Sequence, residues 1–132
     1  MRIGELAQKV GCQVETIRFY EAKQLLPPAV RSPSNNRLYD ERHLKRMRFI
    51  RNCRMLNMSL DDIRVLISIS ENGDRGAETA HEIVQKHLDA IDQQMTLLKN
   101  LKIELENLQC RCHGHNHEGE CGLMSGLREG AF

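Results

Sequence analysis

Between Val84 and Leu105 the apolar residues recur at alternating steps of four and three: Val84, Leu88, Ile91, Met95, Leu98 and, past Lys102, Leu105. That period describes one continuous α-helix with an apolar stripe down one side, widened by Leu101 and Leu108. A rod of this kind, roughly 46 Å long at the rise of an α-helix, cannot bury its stripe against itself. It needs a partner helix, most simply the same helix from a second copy of the chain, so a homodimer built on a coiled coil is the first expectation.

The remainder of the 132 residues suffices for one small folded unit with an appendage. Three Phe, two Tyr and no Trp leave Leu, Ile, Met and Val to build its core, which suits helix packing and predicts a mainly α fold. Ile3, Leu6, Ala7 and Val10 have helical spacing and Gly11 offers a stop. A second helix fits Val14 to Lys23, with Val14, Ile17 and Ala22 inward and Glu15, Thr16, Arg18 and Tyr20 outward; of the adjacent rings, Phe19 is the one expected in the core. Two helices across so short a turn are a helix-turn-helix, with the second in the recognition position.

PPAVRSPSNNRLY, residues 27–39, is turn-rich and ends on a strand-like Arg37-Leu38-Tyr39, the pattern of a hairpin wing. Asp40 can cap a helix to about Leu56, with Leu44, Met47, Phe49 and Ile50 inward and Arg42, Lys45, Arg46, Arg48, Arg51 and Arg54 outward. Ser59 with Asp62 opens a further short helix through Leu66 and Ile67. The polar, glycine-containing ENGDRGAE then reads as a hinge. The expected organisation is a winged helix-turn-helix over 1–70, a hinge over 71–76, a dimerisation helix over 77–109, and a loop with a short terminal helix over 110–132.

The near-neutral total charge hides a division of labour. Residues 1–58 hold 12 Lys/Arg against 5 Asp/Glu, a net of +7; residues 59–132 hold 7 against 13, a net of −6. A basic half of this kind is the footprint of a phosphate-backbone binder. In the acidic half, CRCHGHNHEGEC places three Cys and three His within the 12 positions from Cys110 to Cys121. Thiol and imidazole donors in a glycine-containing loop can converge on a transition metal without helical constraint. Cys12 and Cys53 lie within the basic unit and read as small packing residues.

With these motifs in place the chain resembles the MerR family along nearly its whole length. IGELA in the first helix, ETIRFYE in the second, RSPSNNRLY in the wing and FIRNCRMLNMSLDDIRVL in the next two helices are each similar to the family's pattern, as is the order wing, paired helices, long helix, cysteine loop. The resemblance implies a metal-responsive transcription regulator that dimerises through an antiparallel coiled coil of its long helices, binds double-stranded promoter DNA as a homodimer and distorts it for RNA polymerase. It places Glu15, Thr16, Arg18 and Tyr20 where the recognition helix meets DNA, and Arg31, Asn36, Arg37 and Tyr39 where the wing touches the backbone; Arg46 and Arg48 are weaker candidates. It makes Cys112 and Cys121 the main metal ligands, with Cys110, His113, His115 and His117 available to complete coordination.

The nearest resemblance is to the cadmium/lead- and zinc-responsive branches, in which a cysteine at the start of the long helix crosses to the other subunit's metal. Here that position is Ala77, and His81, one turn on, is the candidate substitute; His87 is expected to pack. Mixed thiolate and imidazole donors favour Zn(II) or Ni(II), with Cd(II) or Pb(II) open and a two-coordinate Cu(I) regulator as an alternative. No catalytic constellation lies outside the loop, so an enzyme is not expected; a metal-buffering protein is the rival from another class. The chain offers no stretch apolar enough to span a bilayer and no signal peptide, which predicts no membrane contact and a cytoplasmic location.

Overall fold

Local signals set most of the helix boundaries. The computed structural model describes residues 1–111 and 121–130. Helix α1 (Ile3–Val10) stops where Gly11 turns left-handed, at φ 81°, and donates its N–H to Ala7 O at 2.9 Å. Glycine reaches this conformation without the Cβ clash that other residues meet. Helix α2 (Val14–Ala22) follows at once.

Strands β1 (Val30–Arg31) and β2 (Arg37–Leu38) pair antiparallel, Val30 opposite Leu38 and Arg31 opposite Arg37. Asn35, at φ 63°, takes the left-handed position of the turn; its N–H donates to Ser32 O, and Ser32 N–H donates to Asn36 O, each at 2.8 Å. A helical turn followed by a left-handed residue is a common way to close a hairpin, and Asn tolerates that position.

Asp40 caps α3 (Glu41–Met55): its carboxylate accepts the Arg42 N–H at 2.9 Å. His43 completes a capping box, with Nδ1 accepting the Asp40 N–H at 3.0 Å. Its Nε2 lies 3.0 Å from Pro27 O, so this fully buried histidine joins the start of α3 to the segment before the wing. Ser59 caps α4 (Leu60–Glu71) through the Asp62 N–H at 3.1 Å. Leu6, Ile17, Met47, Ile50 and Ile63, one or two from each of these four helices, are fully buried in the core.

Residues between α4 and α5 (Ala77–Cys110) form turns, with Gly73, Asp74 and Gly76 at positive φ. Helix α6 (Gly122–Glu129) closes the described chain. The chain divides into two compact units, Met1–His81 and Glu82–Phe132. The fold is mainly α, with six helices and one two-stranded wing among the described residues. None of these helices is long and apolar enough to cross a membrane.

In the second unit, Leu108 is the buried apolar residue of α5, whereas Val84, Leu88, Ile91, Met95, Leu98, Leu101 and Leu105 are exposed within one chain. Leu108 packs beneath α6 at Gly126. The short terminal helix expected within 110–132 is α6.

Four expectations about facing are corrected. Tyr20, expected outward, is 8% exposed, while Phe19, expected in the core, is 46% exposed. The reason is phase: Tyr20 lies three residues after the buried Ile17 and shares its face. Phe19 instead lies under the Lys23 ammonium, 5.6 Å from the ring centre. Ala22, expected inward, is exposed at the end of α2. Arg46, expected outward, keeps a side chain only 18% exposed, because Nη1 donates to Leu25 O at 2.8 Å and Nη2 pairs with Glu71.

Candidate nucleic-acid interface

Helix α2 and the wing bring cationic groups together from distant parts of the sequence. Arg18 from α2, Asn36 and Arg37 from the wing and Arg2 from the residue preceding α1 surround an open recess of about 390 Å³, with Ile3 and Tyr39 as its remaining lining. Three guanidinium groups around one recess suit the phosphate oxygens of a nucleic acid backbone. Arg2 was missed by the sequence reading, its position outside the helix-turn-helix giving no motif; membership of the basic half was the available signal.

The other recognition-helix candidates stand differently. Glu15 is exposed and Thr16 half-buried, whereas the ring of Tyr20 is buried edge-on to Phe19, with 5.3 Å between centres. In the wing, Arg31 is exposed and donates from Nη1 to Asn35 O at 3.3 Å. Asn36 is tied by its N–H to Ser32 Oγ at 3.1 Å and by Nδ2 to Ser34 Oγ at 3.2 Å, so the wing tip is held by its own side chains.

Arg37 and Tyr39 converge on Glu21 of α2. Arg37 Nη1 donates to Glu21 Oε2 at 2.9 Å, and the Tyr39 hydroxyl donates to Glu21 Oε1. Tyr39 is 2% exposed, so it is not offered to a phosphate backbone as the resemblance implied. Burial first, then the hydrogen bond to Glu21, push its phenol up to about 12. Arg48 is exposed on α3, while Arg51 and Arg54 donate to Val10 O and Met58 O.

Of the metal-ligand candidates, Cys112, His113, His115 and His117 lie outside the described residues. Cys110 is an exposed free thiol in the last residue of α5. Cys121 is the N-cap residue of α6 and is disulfide-bonded. His81 is exposed near the start of α5, at the opposite end of that helix from Cys110, and His87 is half-buried. Among the described residues no group of three or more His, Cys, Asp or Glu is placed to hold a metal ion. Burial pushes the Cys12 and Cys53 thiols up, which disfavours the reactive thiolate and fits packing roles.

Residues 1–68 match the family model described as MerR HTH family regulatory protein, and residues 44–108 match that described as MerR, DNA binding. The chain is 39% identical to the HTH-type transcriptional regulator ZntR homolog of Haemophilus influenzae, over 83% of this chain and 81% of that protein. It is 35% identical to the HTH-type transcriptional regulator ZntR of Escherichia coli K12, over 98% and 94%. Among solved structures it is similar to the transcription regulator PbrR691 of Ralstonia metallidurans CH34 in complex with lead(II), at a TM-score of 0.81 and 42% identity, covering 96% of this chain and 98% of that one.

Proposed function

Since the chain belongs to the MerR family of helix-turn-helix regulatory proteins, we propose that it is a homodimeric, metal-responsive transcription regulator that grips promoter DNA with α2 and the wing. The family is one of transcription regulators, not enzymes. The observation that carries the reading is the shared recess of Arg2, Arg18, Asn36 and Arg37, which sets recognition-helix and wing cations side by side. Arg18 and the exposed Glu15 are the α2 side chains offered to base edges or phosphates, with Thr16 partly available. Arg31, Asn36 and Arg37 serve the backbone. The dimer forms through the apolar stripe of α5, which one chain leaves exposed.

The metal reading rests on donor chemistry. Cys110 and Cys121 border a sequence that supplies a further cysteine and three histidines, a set that fits a borderline transition metal. Cys112 and Cys121 are assigned as the main ligands, with Cys110, His113, His115 and His117 completing the shell and His81 reaching it from the partner copy. Zn(II) or Ni(II) is the first choice. Pb(II), with the similarly soft Cd(II), is the second, favoured by the lead(II) complex of the 42% identical neighbour. Metal ligation by cysteine needs thiolates, so the responsive state is the reduced chain.

Response requires that the ion bind two dimer conformations with different affinity, one of which bends and untwists the promoter into a form RNA polymerase can use. The test is selection of duplexes from a random library by the reduced chain, followed by transcription from the enriched sequence with and without each ion. A regulator enriches one sequence and changes output with metal; a metal buffer does neither. Native mass spectrometry with competing Zn(II), Ni(II), Pb(II), Cd(II) and Cu(I), repeated on Cys112→Ser and Cys121→Ser, tests the ligands. Full loading of both variants would refute the assignment.

A further inference from the structure

Glu21 has no evident direct use in a phosphate-binding surface, since a carboxylate beside Arg18 and Arg37 opposes an approaching anion. Its bonds point to another role. One oxygen accepts from Arg37 Nη1 and the other from the Tyr39 hydroxyl, partners 16 and 18 residues away in sequence. Those partners flank Leu38 along the chain, so a single α2 carboxylate holds the returning strand of the wing at two successive points. The Glu21 side chain is 19% exposed and Tyr39 is buried, which shelters the joint, while the Arg37 side chain stays 51% exposed toward the recess. The other side-chain bonds of this hairpin are internal to its tip, and its base is tied through the Tyr39 backbone, whose N–H donates to Met1 O and whose O accepts from the Met1 ammonium, each at 2.7 Å, so the Glu21 carboxylate is the tie that runs from the wing to α2.

We propose that Glu21 is a positioning residue that straps the wing to the recognition helix, holding Arg18 and Arg37 in one relative placement so that the interface discriminates between DNA sequences. This rests on the DNA-binding reading above. A fixed spacing between two guanidinium groups rewards a duplex whose shape matches it and penalises others. The carboxylate also offsets part of the local positive charge, which lowers attraction to any phosphate regardless of sequence. The strap therefore raises selectivity at some expense of general affinity.

The experiment compares the full chain with Glu21→Ala, Glu21→Gln and Tyr39→Phe on two probes: a duplex enriched by the wild type from a random library, and a scrambled duplex of equal length and composition. Hydrogen exchange is followed in residues 30–38. Glu21→Ala should lower the ratio of the two affinities about tenfold, the scale of a lost charge-assisted bond pair, with scrambled-duplex binding unchanged or tighter and wing exchange faster. Glu21→Gln, which keeps the shape and an acceptor, should recover part of the ratio. Tyr39→Phe, which leaves the Arg37 bridge intact, should lower it by a smaller factor, and it decides the question if Glu21→Ala does not fold. Equal tightening on both probes, or unchanged wing exchange, would overturn the strap and leave DNA binding standing. A wild type that enriches no duplex would overturn the DNA-binding reading, and wing exchange alone would then decide whether Glu21 holds the wing.

Discussion

Asp40 shows how one residue links sequence, fold and a measurable pH response. Hydrogen bonds from the Arg42 side chain, foremost, and from its backbone N–H hold the Asp40 carboxyl well below its ordinary value of 3.8. A carboxyl that ionises more readily in the folded chain adds stability above the unfolded value, and that contribution is lost as pH falls. Asp40→Asn keeps a good cap without the charge. Unfolding midpoints of the two proteins should therefore run parallel above about pH 5 and converge below about pH 4, where the wild type loses its advantage. Parallel curves down to pH 2 would contradict this. At the interface, Arg37→Ala should weaken binding to all duplexes and reduce the salt slope by about 0.9, one phosphate contact, as read by titration at several salt concentrations. Asp40 and Ser59 were legible in the sequence because a cap acts over two or three positions. The Phe19 and Tyr20 facings were legible in principle from the phase of Ile17, which the expectation of Phe19 in the core did not follow. Glu21 was not legible, since its partners lie 16 and 18 residues away and only the folded wing brings them to it.

At the scale of elements, α6 illustrates a contact that periodicity does not announce. Its N-terminal part carries Gly122 and Gly126 on one side, and both lie against the end of α5. A Cβ on Gly126 would meet Leu108 Cδ2 at 2.8 Å and Arg111 Nη1 at 2.7 Å; one on Gly122 would meet the Arg111 backbone oxygen at 2.8 Å. Replacing a helical glycine by alanine ordinarily gains about 0.5–1 kcal/mol. Overpacking a seated face costs about 1–3 kcal/mol, so contact wins where the neighbour cannot yield. The long Arg111 side chain can swing away from Gly126, although buried Leu108 yields less; the backbone carbonyl facing Gly122 yields least. Gly122→Ala should therefore loosen α6 more than Gly126→Ala, seen as faster amide exchange in residues 122–129, and the reverse order would show the seat to be compliant. The sequence announced α6 by its apolar residues and α5 by its stripe, because both signals are one-dimensional. The glycine seat was hidden, since glycine has no side chain to set a pattern and its role depends on what approaches it.

For the whole molecule, the proposed regulator stands or falls on whether two ends of a dimer share one equilibrium. The α5 stripe is half to two-thirds exposed at Leu88, Ile91, Met95, Leu98 and Leu105, an apolar surface that a second helix would remove from water. Placing a carboxylate in its middle, with Ile91→Asp and Leu98→Asp together, should convert the dimer to a monomer in sedimentation equilibrium, because an unpaired charge in that seam is costly. The consequence for function follows from linkage. If a metal ion changes duplex affinity by some factor, the duplex must change metal affinity by the same factor, since both are read from one closed cycle of four states. In the reduced wild-type chain the two factors, measured by metal titration with and without the enriched duplex and by duplex titration with and without the ion, should agree and differ from one. In the monomeric variant each DNA-binding unit grips a half-site without a partner to move against, so the factor should collapse to one even where metal still binds. A monomer that kept the full coupling would place the response within a single chain and remove the dimer from the mechanism.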